Sequence, residues 1–142
     1  LKKKFKRSET QPKKTEVFYE KMHKLILHNA WLDLKAGRFR SAQRGAEKYL
    51  RFKPDEARPY YLLGEIFRQR GGKNDNKKAK AYYGTAIALD PSYPDIHKAI
   101  GLVYYKEGKM RLAKRSFETC LSLSHQRQDE AYILGYLEQC NR

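Results

Sequence analysis

The chain is poor in cysteine, in acidic residues and in long apolar runs. Its two cysteines, Cys120 and Cys140, are too few for a disulfide framework and form no C-x-x-C pair. Cys120 falls on the buried side of its helix and is expected to be a small core residue. A bridge to Cys140 stays open, because the last helix should pack beside the one before it. No signal-peptide pattern occurs and no apolar run is long enough to span a bilayer. The four histidines include no H-E-x-x-H. His23 and His28 are five apart and so fall on different faces of a helix, and His97 is expected to pack in the core. G-x-S-x-G is missing, and "RGGKNDNKK" has a double glycine and lysines but lacks G-x-x-x-x-G-K-[ST]. No catalytic, cofactor or metal residues can be named, so no enzymatic activity is expected of the chain by itself.

Acid is the largest deficit. Sixteen Asp and Glu face 31 Lys and Arg, giving a net charge of +15. Residues 1–24 hold nine bases and three acids, so +6 of that charge lies there. Such a surplus favours acidic proteins, nucleic acid or anionic surfaces, against the plain alternative of a solvated basic face. No nucleic-acid motif accompanies it, and the tyrosines fall mostly at packing positions.

What the chain does have is a repeat. Gly37 and Gly71, Gly101 and Gly135, and Ala79 and Ala113 are 34 residues apart. Pro54 and Pro91, Gly64 and Gly101, Ala42 and Ala79, and Gly71 and Gly108 are 37 apart. Three extra residues therefore lie between Gly71 and Ala79, in the polar turn "GKNDNKK", where an insertion leaves stacked helices in register. Asn74, inside that turn, reads as a plain exposed position. Tyr60, Leu63, Gly64 and Phe67 follow i, i+3, i+4, i+7, one buried helical face. Ala79, Tyr83, Ala86 and Ile87 do the same after the turn, and Pro54, Pro91 and Pro94 mark helix boundaries.

Each unit thus reads as helix, turn, helix. Helices are expected near 15–36, 39–53, 57–70, 76–90, 94–107, 110–123 and 128–140, with no strand. Glycine inside a helix costs about 1 kcal/mol against alanine, so Gly64 and Gly101 need a reason. Close approach of paired helices supplies it, with Tyr83 and Phe117 filling the space beside them. Residues 1–14, basic and broken by Pro12, read as a flexible tail or linker. The first residue is leucine, so a segment of a longer protein is expected.

These residues resemble the tetratricopeptide repeat. The pattern W-x2-L-G-x2-Y, A-x3-F, P reads as Tyr60, Leu63, Gly64, Phe67, Ala79, Tyr83, Pro91. It reads again as His97, Ile100, Gly101, Tyr104, Ala113, Phe117, with His125 where the proline would stand. A weaker copy keeps Ala30, Gly37, Ala42 and Pro54 but has Asp33 in place of an aromatic. The resemblance implies an all-α, right-handed superhelical stack of antiparallel helix pairs over 15–142. Three repeats, about 23–56, 57–93 and 94–127, would be followed by a capping helix at 128–141.

It also implies a protein-interaction module whose first helices line a concave groove. By register the lining would be Leu27, Trp31, Leu34 and Lys35, then Arg58, Tyr61, Glu65 and Arg68, then Lys98, Leu102, Tyr105 and Lys106, extended by Tyr132 and Tyr136. Aromatics among Lys and Arg suit a peptide or protein segment with apolar anchors and acidic groups. Nucleic acid or an anionic surface is the alternative partner. The family's grip on chaperone C-termini needs a Lys and an Asn where Leu27 and Trp31 stand, so a chaperone-tail receptor is not expected. A second resemblance is to the tetratricopeptide tails of bacterial envelope zinc metallopeptidases, carried by "YYLLGEIFRQRG" and "DEAYILGYLEQC". It implies a substrate-engaging domain of a periplasmic or envelope protease; without it, a cytoplasmic module is expected.

Overall fold

The computed structural model describes residues 13–142, so residues 1–12 of the expected basic tail lie outside the described residues. Among the described residues there are seven helices and no strand. They are α1 (Lys14–Lys35), α2 (Phe39–Phe52), α3 (Ala57–Arg70), α4 (Asp75–Leu89), α5 (Pro94–Lys106), α6 (Met110–Leu123) and α7 (Glu130–Cys140). Most boundaries fall within a residue of those the hydrophobic period and the prolines predict, although α7 starts two residues later. The chain divides into two compact units, residues 1–52 and 53–142.

In the first unit α1 packs on α2. Glu16 accepts a hydrogen bond from the backbone N–H of Lys13, 3.3 Å away, and tidies the start of α1. The two helices approach closely where Gly45 faces Ala30: a Cβ placed on Gly45 would lie 2.9 Å from the Ala30 Cβ. His23 stacks on Phe52 with ring centroids 4.2 Å apart.

The second unit pairs α3 with α4 and α5 with α6, and sets α7 against α6. The pairs are antiparallel because short turns join them. Gly71 and Gly108, at φ +65° and +77°, turn the chain at the ends of α3 and α5 in the left-handed region that glycine enters without strain. Gly64 and Gly101 are the packing points the repeat predicts. A Cβ on Gly64 would come 2.4 Å from the Tyr83 ring, and one on Gly101 2.7 Å from that of Phe117. Tyr83 and Phe117 are fully buried, each worth about 1.5–3 kcal/mol of apolar burial.

Three sequence expectations need correcting. His97 is half-buried, and its Nε2 lies 2.8 Å from the Pro91 carbonyl. The carbonyl can only accept, so Nε2 carries the proton. Tyr60 makes the matching bond to the Pro54 carbonyl at 2.9 Å, so this position closes the preceding turn rather than filling the core. The insertion is not wholly solvated either. Asp75 is buried and accepts from Gly72 N–H at 2.8 Å and from the Arg70 guanidinium at 2.9 and 3.0 Å. The Arg70 hydrogen bonds hold its carboxyl down at about 2. Asn74 sits at φ +68°, a conformation that disfavours alanine, so it is not a neutral position. Cys120 is buried as expected, and both cysteines are free thiols. Burial pushes both thiols up, away from thiolate reactivity.

Candidate functional site

Within the second unit, the first helices of the pairs and α7 build one face. A cavity of about 250 Å³ is lined by Tyr61, Glu65 and Arg68 of α3, by Asp95, Lys98, Ala99 and Leu102 of α5, and by Tyr132 of α7. A recess of about 480 Å³ shares Tyr61, Asp95 and Lys98 with it and adds Arg127, Gln128 and Asp129 of the α6–α7 loop. Six of the residues expected from the repeat register therefore meet here: Tyr61, Glu65, Arg68, Lys98, Leu102 and Tyr132.

The cations of this face are already paired. Arg68 grips Glu65 with both arms, Nε to Oε1 at 3.1 Å and Nη2 to Oε2 at 2.8 Å. Tyr83, the ring seated on Gly64, donates its hydroxyl to Glu65 at 2.5 Å and accepts from Arg68 Nε at 3.2 Å. Glu65 is buried, and Gln69 adds a fourth donor at 3.2 Å. A buried carboxylate is tolerated because its lone pairs are met. Burial opposes the Arg68 charge, but the Glu65 hydrogen bonds outweigh it and the guanidinium is held more firmly protonated than usual. Burial, reinforced by the Glu65 charge, pushes the phenols of Tyr61 and Tyr83 well above the usual tyrosine range.

A second network ties α5 to the loop before α7. Lys98 bonds Asp129 at 2.5 Å, and Arg127 bonds Asp129 at 2.8 Å and also pairs with Asp95. The Arg127 hydrogen bonds, with Lys98 adding to them, hold the Asp129 carboxyl below the usual carboxylate range. Lys98 Nζ also stands 5.5 Å from the centre of the Tyr132 ring. Three carboxylates thus stand beside three cations, and the face carries no unpaired surplus of positive charge.

The remaining expected residues are placed differently. Tyr105 and Tyr136 are half-buried and lie edge to face at 4.8 Å. Tyr136 also stacks on Phe117 at 5.5 Å, and Tyr105 bonds Gln139. They back the face rather than line these recesses. The hydrogen bond with Tyr132, helped by burial, pushes the Tyr136 phenol up to about 12. Arg58 is exposed and bonds Tyr93, and Lys106 is exposed. In the first unit Leu27 and Leu34 are buried, so they serve as packing residues instead of lining; Trp31 is half-buried and Lys35 exposed.

Asp95 and Ala99 were missed, although they share the periodicity that placed Lys98 and Leu102, at i, i+3, i+4 and i+7. Arg127, Gln128 and Asp129 sit in a loop, where no period announces them. Among the described residues no group of His, Cys, Asp or Glu could hold a metal ion, and no helix is long and apolar enough to cross a membrane.

Paired helices with a small residue under an aromatic ring, repeated at a fixed interval, define a helical-repeat protein. Residues 73–108 match the family described as TPR repeat, and residues 96–126 the family described as tetratricopeptide repeat. These residues belong to the tetratricopeptide-repeat family.

The chain is 34% identical over 82 residues to a UDP-N-acetylglucosamine–peptide N-acetylglucosaminyltransferase of Giardia intestinalis. The match takes in 58% of this chain and 5% of that protein, so the chain spans a small fraction of the relative's length. Among solved structures it is similar to the Yersinia enterocolitica type III secretion chaperone SycD in complex with a peptide of the translocator YopD. That likeness has a TM-score of 0.73 at 13% identity, over 83% of this chain and 91% of that one. It is similar also to the first TPR of Spaghetti (RPAP3) bound to an HSP90 peptide, with a TM-score of 0.71 at 17% identity, over 84% and 92%. At these identities the likeness establishes the fold.

Proposed function

We propose that the second unit is a protein-interaction module that holds a protein or peptide segment on the face formed by α3, α5 and α7. The observation that carries this reading is that three successive first helices contribute to one cavity, with Tyr61, Leu102 and Tyr132 as apolar contacts inside a ring of hydrogen-bonding groups. A volume of about 250 Å³ takes one large side chain. The occupant is therefore a segment with an apolar or aromatic anchor flanked by polar groups, a usual composition for binding hot spots. The peptide complexes of the two similar structures support a segment as ligand. Acidic groups on that segment would have to compete with Glu65, Asp95 and Asp129 for their cations. Any chemistry of a longer parent, glycosyl transfer or proteolysis, would lie outside this face.

The test is selection of displayed random peptides on the 142-residue chain, followed by titration of a selected peptide against variants. Leu102→Glu and Lys98→Ala should each weaken binding at least tenfold while the helical circular dichroism at the assay temperature is kept. Undiminished binding to both would overturn the assignment. A selected pool that gives way to RNA or duplex DNA, with affinity falling steeply in salt, would favour the nucleic-acid reading.

A further inference from the structure

The unpaired positive charge that the cavity face lacks is gathered on α2. Arg40, Arg44, Lys48 and Arg51 follow i, i+4, i+8, i+11, which at 3.6 residues per turn keeps them within about 80° of one another around the helix. All four are exposed, and none makes a side-chain hydrogen bond, ion pair or ring contact with the described residues. They stand on the side of α2 opposite the buried Ala42, Ala46 and Tyr49. The acid on that side, Glu47, is engaged by Gln43 at 2.9 Å and leaves four cations beside one carboxylate.

The second helices of the other pairs do not repeat this stripe. On α4, Lys80 pairs with Glu107 at 3.0 Å and Lys78 stands 5.3 Å from the centre of the Phe67 ring. On α6, Lys114 reaches Glu118 at 3.9 Å.

The neighbours of the stripe decide its partner. The exposed positions between Arg40 and Arg51 are Ser41, Arg44, Glu47 and Lys48, so no apolar side chain stands among the cations to anchor a peptide. Exposed cations hold single carboxylates weakly. A membrane surface takes an apolar helix face as well as charge, and the apolar side of α2 is spent in the core. Phe52, just past the stripe, is stacked on His23, so unpaired bases find no open ring to stack on. A nucleic-acid duplex needs neither anchor nor ring, because it carries one phosphate per about 1.7 Å of axis and releases condensed counterions as cations replace them. Three of the four cations are arginines, whose planar fork meets two phosphate oxygens at once.

We propose that the exposed side of α2 binds the phosphate backbone of a nucleic-acid duplex without regard to its sequence. Arg40, Arg44 and Arg51 fork across phosphate oxygens, and Lys48 supplies a point charge among them. The surface belongs to the first unit and shares no residue with the cavity of the proposed peptide site.

Labelled duplexes of mixed sequence, one of DNA and one of RNA, are titrated with the 142-residue chain by fluorescence anisotropy. Four phosphate contacts contribute about −3.6 to the log–log salt slope, roughly a hundredfold in affinity between about 50 and 200 mM salt. Replacing Arg40, Arg44, Lys48 and Arg51 together with glutamine should remove that part of the slope and weaken binding at least tenfold. The helical circular dichroism should be kept, because the four side chains touch nothing. A charge-matched control replaces Lys73, Lys77, Arg111 and Arg115, whose side chains are also exposed and unpaired, and should lose no more than about threefold. Equal losses in the two variants make the attraction one of net charge and overturn the stripe, as does a stripe variant that binds like the parent. No binding of either duplex at low salt overturns the proposal, and so does tighter binding at equal salt to single strands, polyglutamate or phosphatidylserine vesicles. Binding of either duplex supports it, and the preferred one identifies the source of the phosphates. Leu102→Glu should leave duplex affinity unchanged, so the peptide site and this surface fail separately.

Discussion

The two units solve the same packing problem in opposite ways. In the second, a large side chain enters a gap left by a small one: Tyr83 over Gly64 and Phe117 over Gly101. In the first, small meets small, with Gly45 against Ala30, and Ala46 stands where the repeat pattern would put the ring. A ring over a glycine buries far more apolar area than two methyl-sized groups in contact, so its pairs draw more stability from a single residue. The first pair relies on close backbones and on the His23–Phe52 stack. Close approach of two helices is what the architecture requires, and either arrangement provides it. The first repeat therefore matches the family pattern weakly while still forming a helix pair.

The largest effect should come from filling the notches. Gly101→Leu or Gly64→Leu must expel a ring or part the helices, at a cost on the order of 3 kcal/mol, although leucine is the better helix former by somewhat under about 1 kcal/mol. Gly45→Leu should cost more than either, because the Ala30 Cβ at 2.9 Å and the backbone atoms of Ala30 and Ile26 at 3.6 and 3.7 Å cannot swing aside as a ring can. Urea midpoints of the three variants decide it, and equal losses would erase the distinction between the units. Phe117→Ala placed in the Gly101→Leu background should recover part of the loss, since the ring is what the leucine displaces.

A smaller effect separates the two rings from each other. Tyr83→Phe removes a hydroxyl that donates to Glu65 and accepts from Arg68, and should cost about 1–2 kcal/mol. Phe117 has no such bond to lose. If Tyr83→Phe is neutral by urea denaturation, the hydroxyl adds nothing beyond the packing of its ring.

The smallest is a difference in pH profile at the turn that only the second unit carries. The Asp75 carboxyl is held down at about 2 by Arg70, below the unfolded aspartate value of about 3.9. A depressed pKa contributes stability that is present above the unfolded value and lost as pH falls through the folded one. The parent should therefore lose stability faster than Asp75→Asn between about pH 4 and pH 2, and the two curves should converge below that window. Parallel curves would remove Asp75 as the cause.

The repeat register made much of this legible. Spacing alone paired Gly64 with Tyr83 and Gly101 with Phe117, because a fixed interval between a small and a large residue records one contact. It also placed Tyr61, Arg68, Lys98 and Leu102 on a common face. It failed where the contact is not periodic. Asp75 drew no notice because nothing in a polar run of lysines and asparagines shows that Arg70 and Gly72 converge on one carboxylate. The loop pair Arg127 and Asp129 gave no signal for the same reason. Leu27 and Leu34 were misplaced because the first copy is weak, so its register was borrowed from the stronger copies.

The two seated rings carry a kinetic consequence. Tyr83 and Phe117 are fully buried, with ring carbons within 3.0 Å of the point where a Cβ on the facing glycine would lie. Each 180° flip therefore waits for a moment when its own helix pair parts, a local opening that spans a wide range of rates in proteins. The flip frequency of Tyr83 counts the openings of α3 from α4, and that of Phe117 counts those of α5 from α6. The second unit thus contains two internal clocks, one for each repeat, and each can run at its own rate.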